Sequence, residues 1–195
     1  MTDRTNKTNN NSENLFFKHG GYRNLQSFQM STLVFDLTVE FCKKYIDRRS
    51  RTKDQMEQAA RSGRQNIAEG SSASGTSKKT EIKLTNVARA SLEELLLDYE
   101  DFLRQNKLKL WTKESSEAKI VRKLAYAKNR SYESYSSYLN NSESAANMIV
   151  CLIHQANYLL DCQLRKLSHE FMKQGGFTER LYQKRTNFRN NNFQK

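Results

Sequence analysis

An all-α chain, folded as an antiparallel up-and-down four-helix bundle with a basic C-terminal extension, is what three observations predict. The 195 residues contain no proline and only seven glycines. Proline breaks helix interiors, so its absence removes the commonest obstacle to long helices, whereas turn-rich β folds use both residues as punctuation. Apolar residues recur at three- and four-residue steps over several long stretches, the period of a helix with one buried face. A hydrophobic fraction of 36% is lean, but it suffices for helices that each bury a single stripe.

Residues 1–21 are polar and asparagine-rich, with no apolar segment of a secretion signal, and read as a disordered arm ending at Gly20-Gly21. The first helix is predicted over 25–49, where Leu25, Phe28, Leu33, Leu37, Phe41 and Tyr45 keep helical spacing and Val34 and Ile46 widen the stripe. A second covers 53–69, opened by a capping box of Thr52 and Gln55. Its narrow face of Met56, Ala59, Ala60, Gly63 and Ile67 lets a neighbouring helix approach closely. Gly70 is expected to stop it with a positive φ, and 70–76 to form a flexible loop.

Ser77 caps a third helix over 78–106, with Ile82, Ala88, Leu92, Leu95, Tyr99, Phe102 and Leu103 inward and several acids on the other faces. The pattern then weakens. A helix over 116–129 follows Ile120, Val121, Leu124 and Ala125, and Tyr132, Tyr135 and Tyr138 make a stripe that either packs on the bundle edge or stacks on bases. Asn140 with Glu143 opens a last long helix over 140–174, stopped by Gly175-Gly176. Short connections place neighbours antiparallel, giving a bundle over 22–175 and a basic tail over 176–195.

The formal charge is +12, from 33 Lys plus Arg against 21 Asp plus Glu. Such an excess favours a polyanion, nucleic acid above all, although a merely solubilising surface has the same composition. The candidate contacts are Arg48, Arg49, Arg51 and Lys53 at the first helix joint, Arg61 and Arg64 along the second helix, Lys78, Lys79 and Lys83 opening the third, and Arg180, Lys184 and Arg185 in the tail. Cations at a helix start oppose its dipole, so Lys78 and Lys79 point to an anionic partner. No motif for reading base sequence is visible.

Catalysis, metals and cofactors are not expected. His19 lies in the arm, and His154 and His169 are too far apart on one helix to clasp a metal. Glu94 and Asp98 lack the Glu-x-x-His partners of a di-metal bundle and read as solvated. Cys42, Cys151 and Cys162 are an odd set among apolar neighbours, the habit of reduced core cysteines. With no apolar run long enough for a membrane span, a cytoplasmic location and no membrane partner are expected.

Two blocks carry a family resemblance. Gln55-Met56, Ala59-Ala60, Ser62 and Asn66-Ile67-Ala68-Glu69-Gly70 resemble a signature of the 23S rRNA intervening-sequence proteins, and Ala90-Ser91-Leu92-Glu93-Glu94-Leu95 is similar to that family's second signature. Gly175-Gly176-Phe177-Thr178-Glu179-Arg180 looks like its four-helix-bundle suffix-domain subgroup. The resemblance implies a four-helix bundle that self-associates, often as a homopentamer. It also implies kinship with the accessory variability determinant of diversity-generating retroelements, a nucleic-acid-binding partner of a reverse transcriptase. A scaffold docking such an enzyme is therefore the second functional expectation beside direct nucleic-acid binding. Glu57-Gln58 and Gly63-Arg64 replace the family's usual basic pair and Ile-Pro, which moves positive charge to Arg61 and Arg64. The Asn66-to-Gly70 block is read as structural, with Asn66 and Glu69 tying down the following loop.

Overall fold

The computed structural model describes residues 20–126 and 132–192. Among them there is no strand, and six α-helices account for most of the chain: α1 Gln26–Tyr45, α2 Arg51–Ala73, α3 Lys78–Gln105, α4 Ser116–Ala125, α5 Ser142–Gln174 and α6 Phe177–Asn192. Short 3-10 segments, Tyr22–Asn24 and Tyr132–Asn140, precede α1 and α5. The all-helical expectation holds. Residues 1–19 of the arm expected over 1–21 and the end of the expected helix at 127–129 lie outside the described residues, as do the last three residues of the tail.

The long helices touch in cyclic order: α1 packs on α2 and α5, and α3 packs on α2 and α5, while the short α4 lies on α5. Contacts fix the directions. Gly63 of α2 faces Leu92 of α3, and Gly70 faces Glu81, so the two helices run oppositely. Arg89 meets Asp161, and Glu93 accepts from Asn157, which sets α3 and α5 antiparallel as well. The core between them is largely apolar, built from Met30, Val34, Leu37, Phe41, Met56, Ile67, Leu92, Leu95, Ile149, Leu152 and Ile153. Phe41 is an aromatic hub, its ring centroid 5.3, 5.0 and 4.9 Å from those of Tyr45, Tyr99 and Phe102. The buried Tyr99 hydroxyl donates to Thr38 Oγ1 at 3.1 Å, so the polar end of that ring is satisfied.

The close approach expected of the small α2 face is present. A Cβ on Gly63 would lie 2.7 Å from Leu92 Cδ2, and one on Gly70 would lie 3.3 Å from the Glu81 carbonyl oxygen. Gly70 therefore serves contact and not a left-handed cap. It sits inside α2, which continues to Ala73, and positive φ belongs among glycines to Gly20, Gly21 and Gly175. Asn66 bonds back to the Ser62 carbonyl and hydroxyl, not onward to a loop. Ser62 in turn meets Ser91 Oγ at 2.9 Å, a polar clasp between α2 and α3.

Two helix caps differ from expectation by one or two residues. Ser50, not Thr52, caps α2 by accepting from the Thr52 N–H. Asn141, not Asn140, caps α5 by accepting from the Ser144 N–H. Ser77 caps α3 as expected, taking the Thr80 N–H at 3.1 Å. The basic tail is itself helical over Phe177–Asn192, after Gly175 at φ 66 turns the chain and Glu179 accepts from the Gly176 N–H. Its apolar side chains form no buried stripe, which is why periodicity did not reveal it. The tyrosine stripe packs: Tyr135 is buried, and Tyr138 meets Trp111 edge-on at 6.4 Å.

Candidate nucleic-acid interface

The twelve expected cations do not converge on one surface. Arg48 and Arg49 are exposed in the turn between α1 and α2, and Arg51 is exposed at the start of α2. Lys79 and Lys83 are exposed at the start of α3, beside the far end of α2. Since α2 has 23 residues, these groups lie about 35 Å apart at the helical rise of about 1.5 Å. Arg61 is exposed between them, but it shares the outer face of α2 with Asp54 and Glu69.

Others are occupied within the chain. Lys53 pairs with Glu57 at 2.9 Å, and that hydrogen bond raises its pKa above the ordinary lysine value. Lys78 pairs with Glu81 at 3.0 Å and approaches Glu170 at 4.0 Å, which satisfies the charge that seemed unfavourable at a helix start. Arg64 lies over the Phe35 ring at 4.3 Å, a cation–π contact. Lys53, Lys78 and Arg64 are therefore structural groups. Arg180, Lys184 and Arg185 belong to α6, beyond the far end of the long helices.

One end of the molecule gathers cations from segments far apart in sequence, around a hollow that also holds Asp47, Asp98 and Asp101. The start of α2, the end of α3 and the α1–α2 turn meet around Tyr45, Asp47, Ser50, Phe102 and Asn106. The segment leaving α3 carries exposed Lys107, Lys109 and Lys113, and α4 adds Lys119, Arg122 and Lys123. These six were not singled out in the sequence, because the weak periodicity after residue 106 hid where the segment packs. Arg48, Arg49 and Arg51 thus share an end with Lys107 and Lys109.

Beside this end, α3, α4, α5 and the segment between α3 and α4 enclose a cleft of about 480 Å³. Trp111, Tyr126 and Tyr158 supply rings, Lys113, Arg122 and His154 supply nitrogen groups, and among the described residues lining it Glu100 is the one carboxylate. Tyr126 and Tyr158 are 67% and 56% exposed. Arg122 donates to the Lys113 carbonyl at 2.6 Å, tying α4 to the rim.

Asn147, almost wholly buried in the second turn of α5, holds the other side of the rim. Its Oδ1 accepts from the Trp111 N–H at 2.7 Å, and its Nδ2 donates to the carbonyls of Lys109 and Glu143 at 2.8 and 2.9 Å. Asn147→Ala removes the partner of the Trp111 N–H and of the Lys109 carbonyl. Each lost partner costs about 1–3 kcal/mol, so a loss of roughly 2–4 kcal/mol is expected in urea unfolding. A loss below about 0.5 kcal/mol would show that the rim is not held this way.

Of the two α3 acids expected to be solvated, Glu94 is exposed and Asp98 is not. Asp98 is half-buried, with Oδ2 shielded and without a hydrogen-bond partner, and burial first, then Glu94 and Asp101, raise its pKa from 3.8. A carboxyl whose folded pKa is raised binds its proton more tightly in the folded state. Stability therefore falls as pH rises from the unfolded value through the raised folded value, and the deficit persists above it. Asp98→Asn removes that ionisation, so its melting temperature should exceed the parent's at pH 7, with the advantage shrinking at pH 4. Equal gains at both pH values would exclude this cause.

Burial pushes the Cys42 thiol up to about 12, as befits a core cysteine, while Cys151 and Cys162 are half-buried. Among the described residues no three His, Cys, Asp or Glu groups are placed to hold a metal. No described helix is long and apolar enough to cross a membrane. Compared with family models, with curated proteins and with solved structures, the chain has no significant match in any of the three.

Proposed function

We propose that this protein is a non-enzymatic, self-associating four-helix bundle of α1, α2, α3 and α5 that binds single-stranded RNA or DNA with little sequence preference. The cyclic, antiparallel contacts of the long helices support the architecture. One observation carries the function: open tyrosine rings and Trp111 share a cleft with Lys113 and Arg122, next to an end bearing Arg48, Arg49, Arg51, Lys107 and Lys109. A cationic track beside aromatic platforms is how proteins hold unpaired strands, since every base has a face to stack and every nucleotide a phosphate. The cleft's partners are rings and charges without a rigid set of paired donors and acceptors, so base identity matters little.

The chemistry-bearing side chains favour binding over turnover. His154 stands at the cleft rim, His169 lies four turns away along α5, and the Cys42 thiol is buried. Fluorescence anisotropy with labelled single-stranded and duplex oligonucleotides tests the proposal. Binding to the single strand is expected at 50 mM salt, weakening steeply toward 200 mM as counterions compete. No binding at 50 mM, or a clear preference for duplex, defeats it.

A further inference from the structure

The exposed side chains of α6 and of α3 are complementary. On α6, Leu181, Arg185 and Phe188 are spaced by four and three residues, with Tyr182 and Arg189 alongside, so all five share one face. Each is exposed, Tyr182 by 72% and Phe188 by 69%. No extensive contact joins α6 to another helix among the described residues. The face is apolar along one edge and doubly charged along its middle.

The outward face of α3 has the opposite design. Leu97 is 58% exposed, with Ala90 one heptad before it. Glu93 and Glu100 flank this line on one side, and Glu94 and Asp101 on the other, each pair one heptad apart. Arg104 answers only Asp101, at 2.7 Å, and Glu93 only accepts from neutral Asn157. In a chain of net charge +12, a strip of four acids around an open leucine is an outlier.

The same chain cannot bring the two together. Glu170 lies beside Lys78, so the chain leaves α5 at the start of α3. At about 1.5 Å per residue, α6 folded back along α3 carries Arg189 about 18 Å from the glycine turn, whereas Glu93 to Asp101 lie about 22–35 Å beyond Lys78. Part of that 18 Å is spent retracing the last turn of α5, so the basic residues fall well short.

We propose that α6 docks on the acidic outer face of α3 in a second copy of this chain, with Arg185 and Arg189 against the carboxylates and Leu181 and Phe188 against Leu97. The proposal rests on the self-association in the functional reading above and supplies an interface for it; α6 lies at the end of the chain remote from Arg48, Arg49 and Lys113, whereas the acidic strip reaches Glu100 of the cleft. Strand binding and association are therefore separated by variants on α6, which adds nothing to the cleft.

The test uses the full chain, treated with nuclease, in size-exclusion chromatography with light scattering. The parent should exceed the 22.8 kDa of one chain. Arg185→Glu with Arg189→Glu should reduce the mass to a single chain, and so should Glu94→Lys with Glu100→Lys. Arg185, Arg189 and Glu94 are exposed and Glu100 is half-buried at the cleft, and unchanged helical circular dichroism checks that each variant folds. Mixing the two variants should restore a species of more than one chain, because each then offers charges opposite to the other's. A parent of single-chain mass overturns the proposal, as does association that survives Arg185→Glu with Arg189→Glu or that nuclease abolishes. Single-strand binding by the α6 variant, measured alongside, should stay within about twofold of the parent; a large loss without loss of association would assign α6 to nucleic acid instead.

Discussion

Phe41→Ala should cost about 3–5 kcal/mol of unfolding free energy, the range for removing a buried phenylalanine. The ring is wholly buried on α1 and meets Tyr45 of its own helix and Tyr99 and Phe102 of α3. Alanine leaves a cavity bounded by three rings, and rings relax poorly because each is held by other contacts. Tyr99 keeps its hydrogen bond to Thr38, and the Tyr45 hydroxyl donates to the Leu139 carbonyl at 2.8 Å, so neither is free to fill the space. Domains of this size are stable by about 5–15 kcal/mol in total, so the variant should lie near the edge of folding. Urea titration should show a large fall in the midpoint with an unchanged slope. Leu97→Ala, at an exposed position, serves as the contrast and should stay within about 0.5 kcal/mol in the dissociated protein. Equal effects at the two positions would mean that Phe41 is not the hub described.

Phe41 illustrates what the sequence makes legible. Its place in a stripe with Leu37 and Tyr45 follows from helical spacing alone, because burial repeats with the helix period whatever the partner is. Helix ends are less visible. Ser50 and Thr52 are both good caps, and which is used depends on where the turn after Asp47 delivers the chain. Gly70 shows the limit more sharply, since a glycine needed for contact with Glu81 looks in sequence like one needed for a turn. The helix α6 escaped detection because none of its described residues is fully buried, so no apolar stripe marks it. For the candidate interface, Arg48 and Lys109 lie far apart in sequence and share an end only through the antiparallel packing of α3. Tyr158 adds a further long step, from an outward position on α5 to a cleft wall built partly by α4.

The interface prediction separates two kinds of variant. If unpaired strands bind at the cleft and its adjoining end, Tyr158→Ala and Tyr126→Ala should each weaken binding by about 1–3 kcal/mol, the measured worth of stacking one base. That is roughly five- to 150-fold. Neither removes a charge, so the slope of log affinity against log salt should stay as it was. Lys113→Gln and Arg49→Gln should do the reverse. Each removes one cation facing the strand, and each should lower the salt slope by about 0.7, the counterion release per phosphate on a single strand. Lys79→Gln with Lys83→Gln, about 35 Å away by helical rise, should change neither quantity by much, although these residues have the same charge and exposure. The comparison turns on position, because a net charge of +12 attracts a polyanion diffusely from every side. Diffuse attraction makes all lysines equivalent and leaves tyrosines irrelevant. Equal slope losses at Lys113 and at Lys79 with Lys83, together with silent tyrosine variants, would therefore reduce the cleft to an unoccupied crevice on a basic surface.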